Sequence, residues 1–303
     1  MIAASLGLGH ALAFDAGTAG FADSGDWLAR LRIRITYAAR HGRLPDLDAA
    51  PRFTEMVQRR KLLDHDPRQP RLADKVKVKR WVADQLGEHW ITPTLWQGTS
   101  LPDAPAWPMP FVVKSRHGCN QRAFVRTGHE NWPAIRAEAA RWVARRYGFW
   151  LDEWLYSRIA PGVLVEPFIG TDGALPIDYK IYVFAGEVVA VQVHLEREHA
   201  HRWMLFDPHW QRLSSPSADA DPVQPASLPA MLAAAATLGR DFDFVRVDFY
   251  EIGGQPRFGE MTFYPGSGLD PFTPDSLDMW LGAHWHAAQA RLRSPARPLD
   301  LAA

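Results

Sequence analysis

The chain has 303 residues, 47% hydrophobic and 22% charged, with 34 Lys and Arg against 34 Asp and Glu. That make-up belongs to a globular protein of one large or two ordinary domains, and the balanced charge excludes an overall electrostatic pull toward nucleic acid or membrane. A single cysteine, Cys119, excludes an internal disulfide and fits a reducing compartment; with no apolar run of transmembrane length, the cytoplasm is the expected location.

Residues 1–25 are small and Gly-rich, without a basic start or a clear cleavage site, and are read as loosely packed rather than as a signal peptide. Trp27, Leu28, Leu31 and Ile35 recur at helical spacing, and Phe53, Met56, Val57 and Leu63 mark a second short helix. Residues 66–70 read as a loop, and the first seventy or so residues as a helical lead-in. Asp74 is expected to cap a helix from Lys75 to Leu86 whose apolar stripe is Val78, Trp81, Val82 and Leu86, leaving Lys75 and Lys79 together on the other side.

Phe111-Val112-Val113-Lys114 reads as a short buried strand ending in lysine, followed by the polar loop 115–121 with His117 and Gly118. A lysine leaving a strand into such a loop is placed to meet phosphate oxygens. Cys119 has no identifiable base and reads as a bystander thiol. Asn131 caps a helix with Pro133 in its first turn. Val163 to Pro167 is a strand stopped by proline, and Asp178 to Phe184 is another, with Asp178 and Lys180 on one face. His199 and His201 offer a metal pair, but solvated edge charges are the better reading. Helices are expected at Pro229–Leu238 and Leu277–Leu292.

The densest pattern is late. Phe244 to Tyr250 and Phe258 to Pro265 are β-branched and aromatic and flank Gly253-Gly254, as in a hairpin. Arg246 and Asp248 share one strand face, and Glu260 and Thr262 share one on the partner. A two-residue loop would pair Ile252 with Gln255 and put the two carboxylates on opposite faces, whereas a three-residue loop or a bulge would bring Asp248 opposite Glu260. The odd-length loop is the expectation. Two carboxylates on rigid strands suit magnesium, a hard cation usually held by one or two carboxylates plus substrate phosphates.

In this order the stretches resemble the ATP-grasp ligases and, more narrowly, the TupA-like ATP-grasp family of teichuronopeptide and polysaccharide biosynthesis. The resemblance rests on Asp74-Lys75 through Lys79, on Phe111 to Lys114 with His117-Gly118, and on Val165-Glu166. It continues through Asp178-Tyr179-Lys180, Arg246-Val247-Asp248 and Gly259 to Pro265, and it runs from about Gly42 to Gly282. It implies an α+β fold in which two α+β subdomains clamp ATP between antiparallel sheets, with a helical N-terminal lead-in at 1–72. The ATP-grasp domain would span 73–295, with 111–165 the smaller and 166–295 the larger subdomain.

The resemblance also implies roles. Lys75, Lys79 and Lys114 would meet ATP phosphates, and the loop with His117 and Gly118 would close over them. Glu166, Pro167, Phe168 and Ile169 would form the adenine hinge. Asp178 and Lys180 would face ribose or phosphate, and Arg246 with Lys180 would stabilise the transferring phosphoryl group. Asp248, Glu260 and Thr262 would hold magnesium, although Thr offers only a hydroxyl where asparagine is usual. The implied reaction phosphorylates a carboxylate with ATP and lets an amine displace the phosphate, joining an amino acid or other amine to a uronic acid or similar carboxylate. A peptide-type ligase of small-molecule biosynthesis and a non-catalytic nucleotide-binding protein are the alternatives. The expected partners are those small-molecule or saccharide substrates, with no nucleic acid and no membrane insertion.

Overall fold

The computed structural model describes residues 27–171, 173–196, 198, 201–216 and 220–294. The expectation for residues 1–25, and the His199 half of the histidine pair, fall outside the described residues.

Four helices open the chain: α1 (Trp27–His41), α2 (Phe53–Leu63), α3 (Arg68–Ala73) and α4 (Lys77–Leu86). A first group of strands follows, β1 (Trp96–Gly98), β2 (Phe111–Ser115) and β3 (Arg122–Val125), then α5 (Trp132–Ala144), α6 (Trp154–Ser157) and β4 (Val163–Pro167). These strands form an antiparallel sheet in the order β1-β4-β2-β3. One face carries Phe111, Val113, Val125, Val163 and Val165, which pack under Trp132, Ile135, Ala139 and Trp142 of α5 as a core of their own. Asn131 accepts the Ala134 N–H at 3.0 Å and starts α5 as expected.

The second sheet is built from β5 (Asp178–Phe184), β6 (Glu187–Leu195), β7 (Arg202–Phe206), β8 (Val245–Ile252) and β9 (Gln255–Thr262), in the antiparallel order β7-β6-β5-β8-β9. Between β7 and β8 lies α7 (Leu228–Gly239), and α8 (Ser276–Arg293) follows β9. One sheet face presents Ile181, Val183, Val191, Val193, Val247 and Phe249, and it shares a continuous core with Met231, Ala235 and Leu238 of α7. The opposite face changes character along its length. At one end Phe184 and Phe244 lie under α2 and α8, where the Phe53 ring sits 4.8 Å from Phe244 and 5.3 Å from Trp285. Farther along, the same face becomes Tyr182 and Arg246, then Lys180 and Asp248, then Asp178 and Tyr250. The apolar end is sealed by helices, and the other end carries a buried row of charged side chains.

The structure corrects several expectations. Phe53 of the early helix α2 is fully buried in the main core. The described residues of α2 and α3 pack with the larger sheet, and Trp96 of β1 pairs with Val165 at the edge of the smaller one. In α1 the residues that face inward are Ala29, Ile33 and Tyr37, while Trp27, Leu28, Leu31 and Ile35 face outward. Residues 68–70, read as loop, begin α3. Asp74 does accept the N–H groups of Val76 and Lys77 (3.0 and 3.2 Å), but α4 starts at Lys77, so Lys75 precedes the helix. Arg202–Phe206, for which residue order carries no strand expectation, is strand β7.

Candidate active site

The β8–β9 hairpin sets the position of the carboxylates. Gly253 (φ 58°) and Gly254 (φ 74°) make a two-residue turn that pairs Ile252 with Gln255, so the expected odd-length loop is not what forms. The register nevertheless shifts by one residue between Asp248 and Phe249: Phe249 pairs with Phe258, and Asp248 with Glu260. Gly259 is the extra residue, a bulge. A Cβ there would stand 3.0 Å from the Asp248 carbonyl oxygen, a close backbone approach that favours glycine.

Around this bulge the charges interlock. Arg246 donates through Nε to Asp248 Oδ1 (2.7 Å) and through Nη2 to Asp248 Oδ2 (2.8 Å) and Thr262 Oγ1 (3.2 Å). Lys180 Nζ bridges Asp248 Oδ2 at 2.5 Å and Asp178 Oδ2 at 2.7 Å. Thr262 donates its hydroxyl to Glu260 Oε1 at 3.2 Å. Asp248 is 1% exposed, with both oxygens engaged by cations, whereas the Glu260 side chain is 35% exposed. Burial pushes the Asp248 carboxyl up against the opposing charges of Arg246 and Lys180. Burial also acts to raise Glu260, but Lys75, Lys180 and Arg246 together hold it below the usual carboxylate range. Glu260 is thus an ionised carboxylate with room to bind.

The second cluster lies on the smaller sheet. Lys114 pairs with Leu164 across β2 and β4, and Glu166 pairs with Val112, so both charged side chains share one face. Glu166 accepts from Lys114 (2.5 Å) on one oxygen and Lys79 (2.5 Å) on the other. Burial raises the Glu166 carboxyl, yet the two lysines win and lower it. Lys79 also donates to the Thr92 carbonyl and Thr94 hydroxyl, so its amine is saturated, while Lys114 is the more accessible of the two. Lys75 links the loop after β2 to the first cluster. Its amine donates to the Gly118 carbonyl at 2.5 Å, and its charge is the largest favourable influence on Glu260. Arg116 grips the Asp74 carboxylate at 2.7–3.0 Å and so pins the start of α4 to the loop after β2.

Not every expected residue reaches the cleft. His117 is 1% exposed; its Nδ1 accepts the Gly162 N–H (3.3 Å) and its Nε2 meets the Trp142 carbonyl (3.1 Å), so no ring nitrogen is left for a phosphate. The correction has a physical cause: burial lowers its pKa and keeps the ring neutral, as a bolt between loop and α5. Cys119 donates to the Tyr156 hydroxyl, and burial raises its thiol, in keeping with a bystander. At the hinge, the Phe168 N–H is taken by the Pro110 carbonyl (3.0 Å), and the Phe168 ring meets Phe124 under the Arg126 guanidinium. Ser267, in the loop after Glu260-x-Thr262, accepts from the buried Lys61 amine at 2.7 Å.

Two features escaped sequence reasoning. Thr92 and Thr94, which anchor Lys79, carry no pattern of their own. His194 on β6 stands beside Asp178 in the charged face, and burial with the Lys180 charge drops its pKa to about 2. Its Nδ1 lies 2.8 Å from His201 Nε2, so these two rings pair. Among the described residues no group of three or more His, Cys, Asp and Glu gathers as a metal cage, so a cation here would rest on the hairpin carboxylates and its ligand.

Comparison with known proteins places this geometry. A family model described as TupA-like ATPgrasp matches residues 55–286. Among solved structures, an L-amino acid ligase from Bacillus licheniformis superposes with a TM-score of 0.42 at 17% identity, covering 75% of this chain and 49% of that one. A D-alanine–D-alanine ligase from Bacillus anthracis complexed with ATP gives 0.40 at 13%, covering 73% and 68%. The ATP-grasp ligase PsnB complexed with minimal precursor gives 0.40 at 12%, covering 74% and 62%. The chain thus spans about half the length of the first of these. No curated protein matches the chain.

Proposed function

The chain belongs to the TupA-like ATP-grasp family, and from that premise we propose that it is an ADP-forming carboxylate–amine ligase, with ATP and magnesium as its cofactors. In this reading it makes an amide through an acyl-phosphate, joining an amino acid or other amine to a uronic acid or similar carboxylate in polysaccharide or cell-surface biosynthesis in the cytoplasm. The single observation that carries the reading is the placement of Glu260 opposite Asp248, with Lys75, Lys180 and Arg246 converging on them.

The donor set fits magnesium through Glu260, whose hard carboxylate oxygens are open, and Asp248 would join it by sharing an oxygen with Arg246 once Lys180 turns to Asp178. When bound there, the ion neutralises phosphate charge. Lys114 and Lys75 would bind phosphate oxygens, and Lys79 would act through Glu166 by keeping that carboxylate in place. Arg246, held charged by Asp248 despite its burial, would stabilise charge developing on the transferring phosphoryl group. At the hinge, residues 166–169 would receive adenine. No protein nucleophile is needed: orientation and electrostatics do the work.

The test is ADP release from a matrix of uronic acids and small carboxylic acids crossed with amino acids. Release that requires both a carboxylate and magnesium, and disappears in Glu260→Gln, supports the ligase. Nucleotide binding without turnover on any pair favours a non-catalytic nucleotide-binding protein, and turnover confined to amino-acid or peptide carboxylates favours a small-molecule peptide ligase.

A further inference from the structure

The outward face of α1 is apolar where solvent would ask for charge. Trp27 is 65% exposed and Ile35 59%, and Leu28 and Leu31 lie beside them on the same side, opposite the buried Ala29, Ile33 and Tyr37. At 100° per residue, Leu31, Ile35 and Leu28 form the centre of that face, with Arg30 and Arg34 along one border and Arg32 along the other. The helix has no acidic residue. Arg30 and Arg34 have no acidic partner among the described residues.

A second segment extends the patch. Arg32 is ion-paired to Asp152, and its guanidinium sits 5.9 Å over the Phe149 ring, which ties α1 to the loop after α5. That loop carries exposed Arg145 and Arg146, then Phe149 (57% exposed) and Trp150 (69% exposed). Two separate parts of a chain with zero formal net charge, joined through Arg32, thus expose aliphatic and aromatic side chains with arginines beside them.

We infer that α1 and the 145–150 loop dock this protein on the surface of an anionic lipid bilayer. Aliphatic groups at the centre enter the acyl boundary, indole rings sit at headgroup level, and arginines meet lipid phosphates. The helix lies in the interface and does not span it, in keeping with the absence, among the described residues, of a helix long and apolar enough to cross. Charge argues for this occupant over a second copy, since a two-fold pairing of the patch would bring its arginine borders together. The aliphatic centre argues against nucleic acid, which needs stacking or hydrogen-bonding groups there.

The experiment is co-sedimentation of the full chain with vesicles of phosphatidylglycerol and phosphatidylcholine, and with phosphatidylcholine alone. Binding to the anionic vesicles that weakens with added salt is expected. It should fall at least tenfold in Leu31→Glu/Ile35→Glu and in Phe149→Ser/Trp150→Ser, and in Arg30→Ser/Arg34→Ser it should drop to the level seen on phosphatidylcholine. All six side chains point outward or border the patch, so circular dichroism and Tm should match the parent and separate lost docking from lost folding. The inference is overturned if the parent does not bind anionic vesicles, if the variants bind as well as the parent, or if the patch variants instead convert a dimer to a monomer on size exclusion.

Discussion

Asp248 stands opposite Glu260 even though the turn joining their strands has only two residues. An unbroken ladder from Ile252 and Gln255 would have matched Asp248 with Gly259 and sent Glu260 to the apolar face. One unpaired glycine brings the second carboxylate to the charged face.

Gly259 is therefore a sensitive position. In Gly259→Ala the new methyl meets the Asp248 carbonyl at 3.0 Å, and backbone has to give. The expected cost is about 1–2 kcal/mol of stability, the ordinary range for a single substitution with local strain, together with a fall in kcat larger than the change in KM for ATP. Urea unfolding and ADP release measure the two. An unchanged kcat would show that the bulge does not aim Glu260.

The two lysines on Glu166 should part company. Lys79 is partly buried and saturated by Glu166, Thr92 and Thr94. Lys79→Met leaves a buried carboxylate short of one partner and should destabilise the protein by about 3–5 kcal/mol. Lys114 also holds Glu166 but is more open and has no further protein acceptors, so Lys114→Met should cost less stability than Lys79→Met while raising KM for ATP at least tenfold. Thermal melts and ATP titration of ADP release decide; equal effects from both variants would contradict the division.

Glu166 also predicts a pH dependence. Its folded-state pKa lies below its ordinary value of 4.5, because Lys114 and Lys79 outweigh burial. The stability it contributes is fully present above pH 4.5 and is lost as pH falls through the lower folded value. Denaturant midpoints measured downward from pH 7 should drop more steeply below pH 4.5 in the parent than in Glu166→Gln. Parallel curves would mean the pairs contribute nothing to folding.

Phe53 tests whether the early helices belong to the larger unit. Phe53→Ala removes a ring packed on Phe244, Tyr182 and Trp285 and should cost about 3–5 kcal/mol. The loss should appear in the same unfolding transition that reports the β8–β9 sheet. A separate early transition would instead describe an independent N-terminal unit.

Alternation along β5, β8 and β9 was readable from residue order, since period-two patterning assigns faces without knowledge of the partner strand. Hence Asp178 with Lys180, and Arg246 with Asp248, were grouped correctly, as was Lys114 on its strand, while the two-sheet α+β organisation came from the family resemblance. What residue order could not supply was register and orientation. Gly253-Gly254 fits several loop geometries, and only pairing with β8 reveals that the extra residue is Gly259. Trp27, Leu28, Leu31 and Ile35 mark a helix, but both sides of that helix are apolar, so which side turns inward depends on what α2 offers. His117 looks like a phosphate ligand in a loop, and becomes a buried bolt once α5 and Gly162 close around it. Local pattern determines which side chains share a face; the packing of distant elements determines where that face points, because burial is a property of the neighbours.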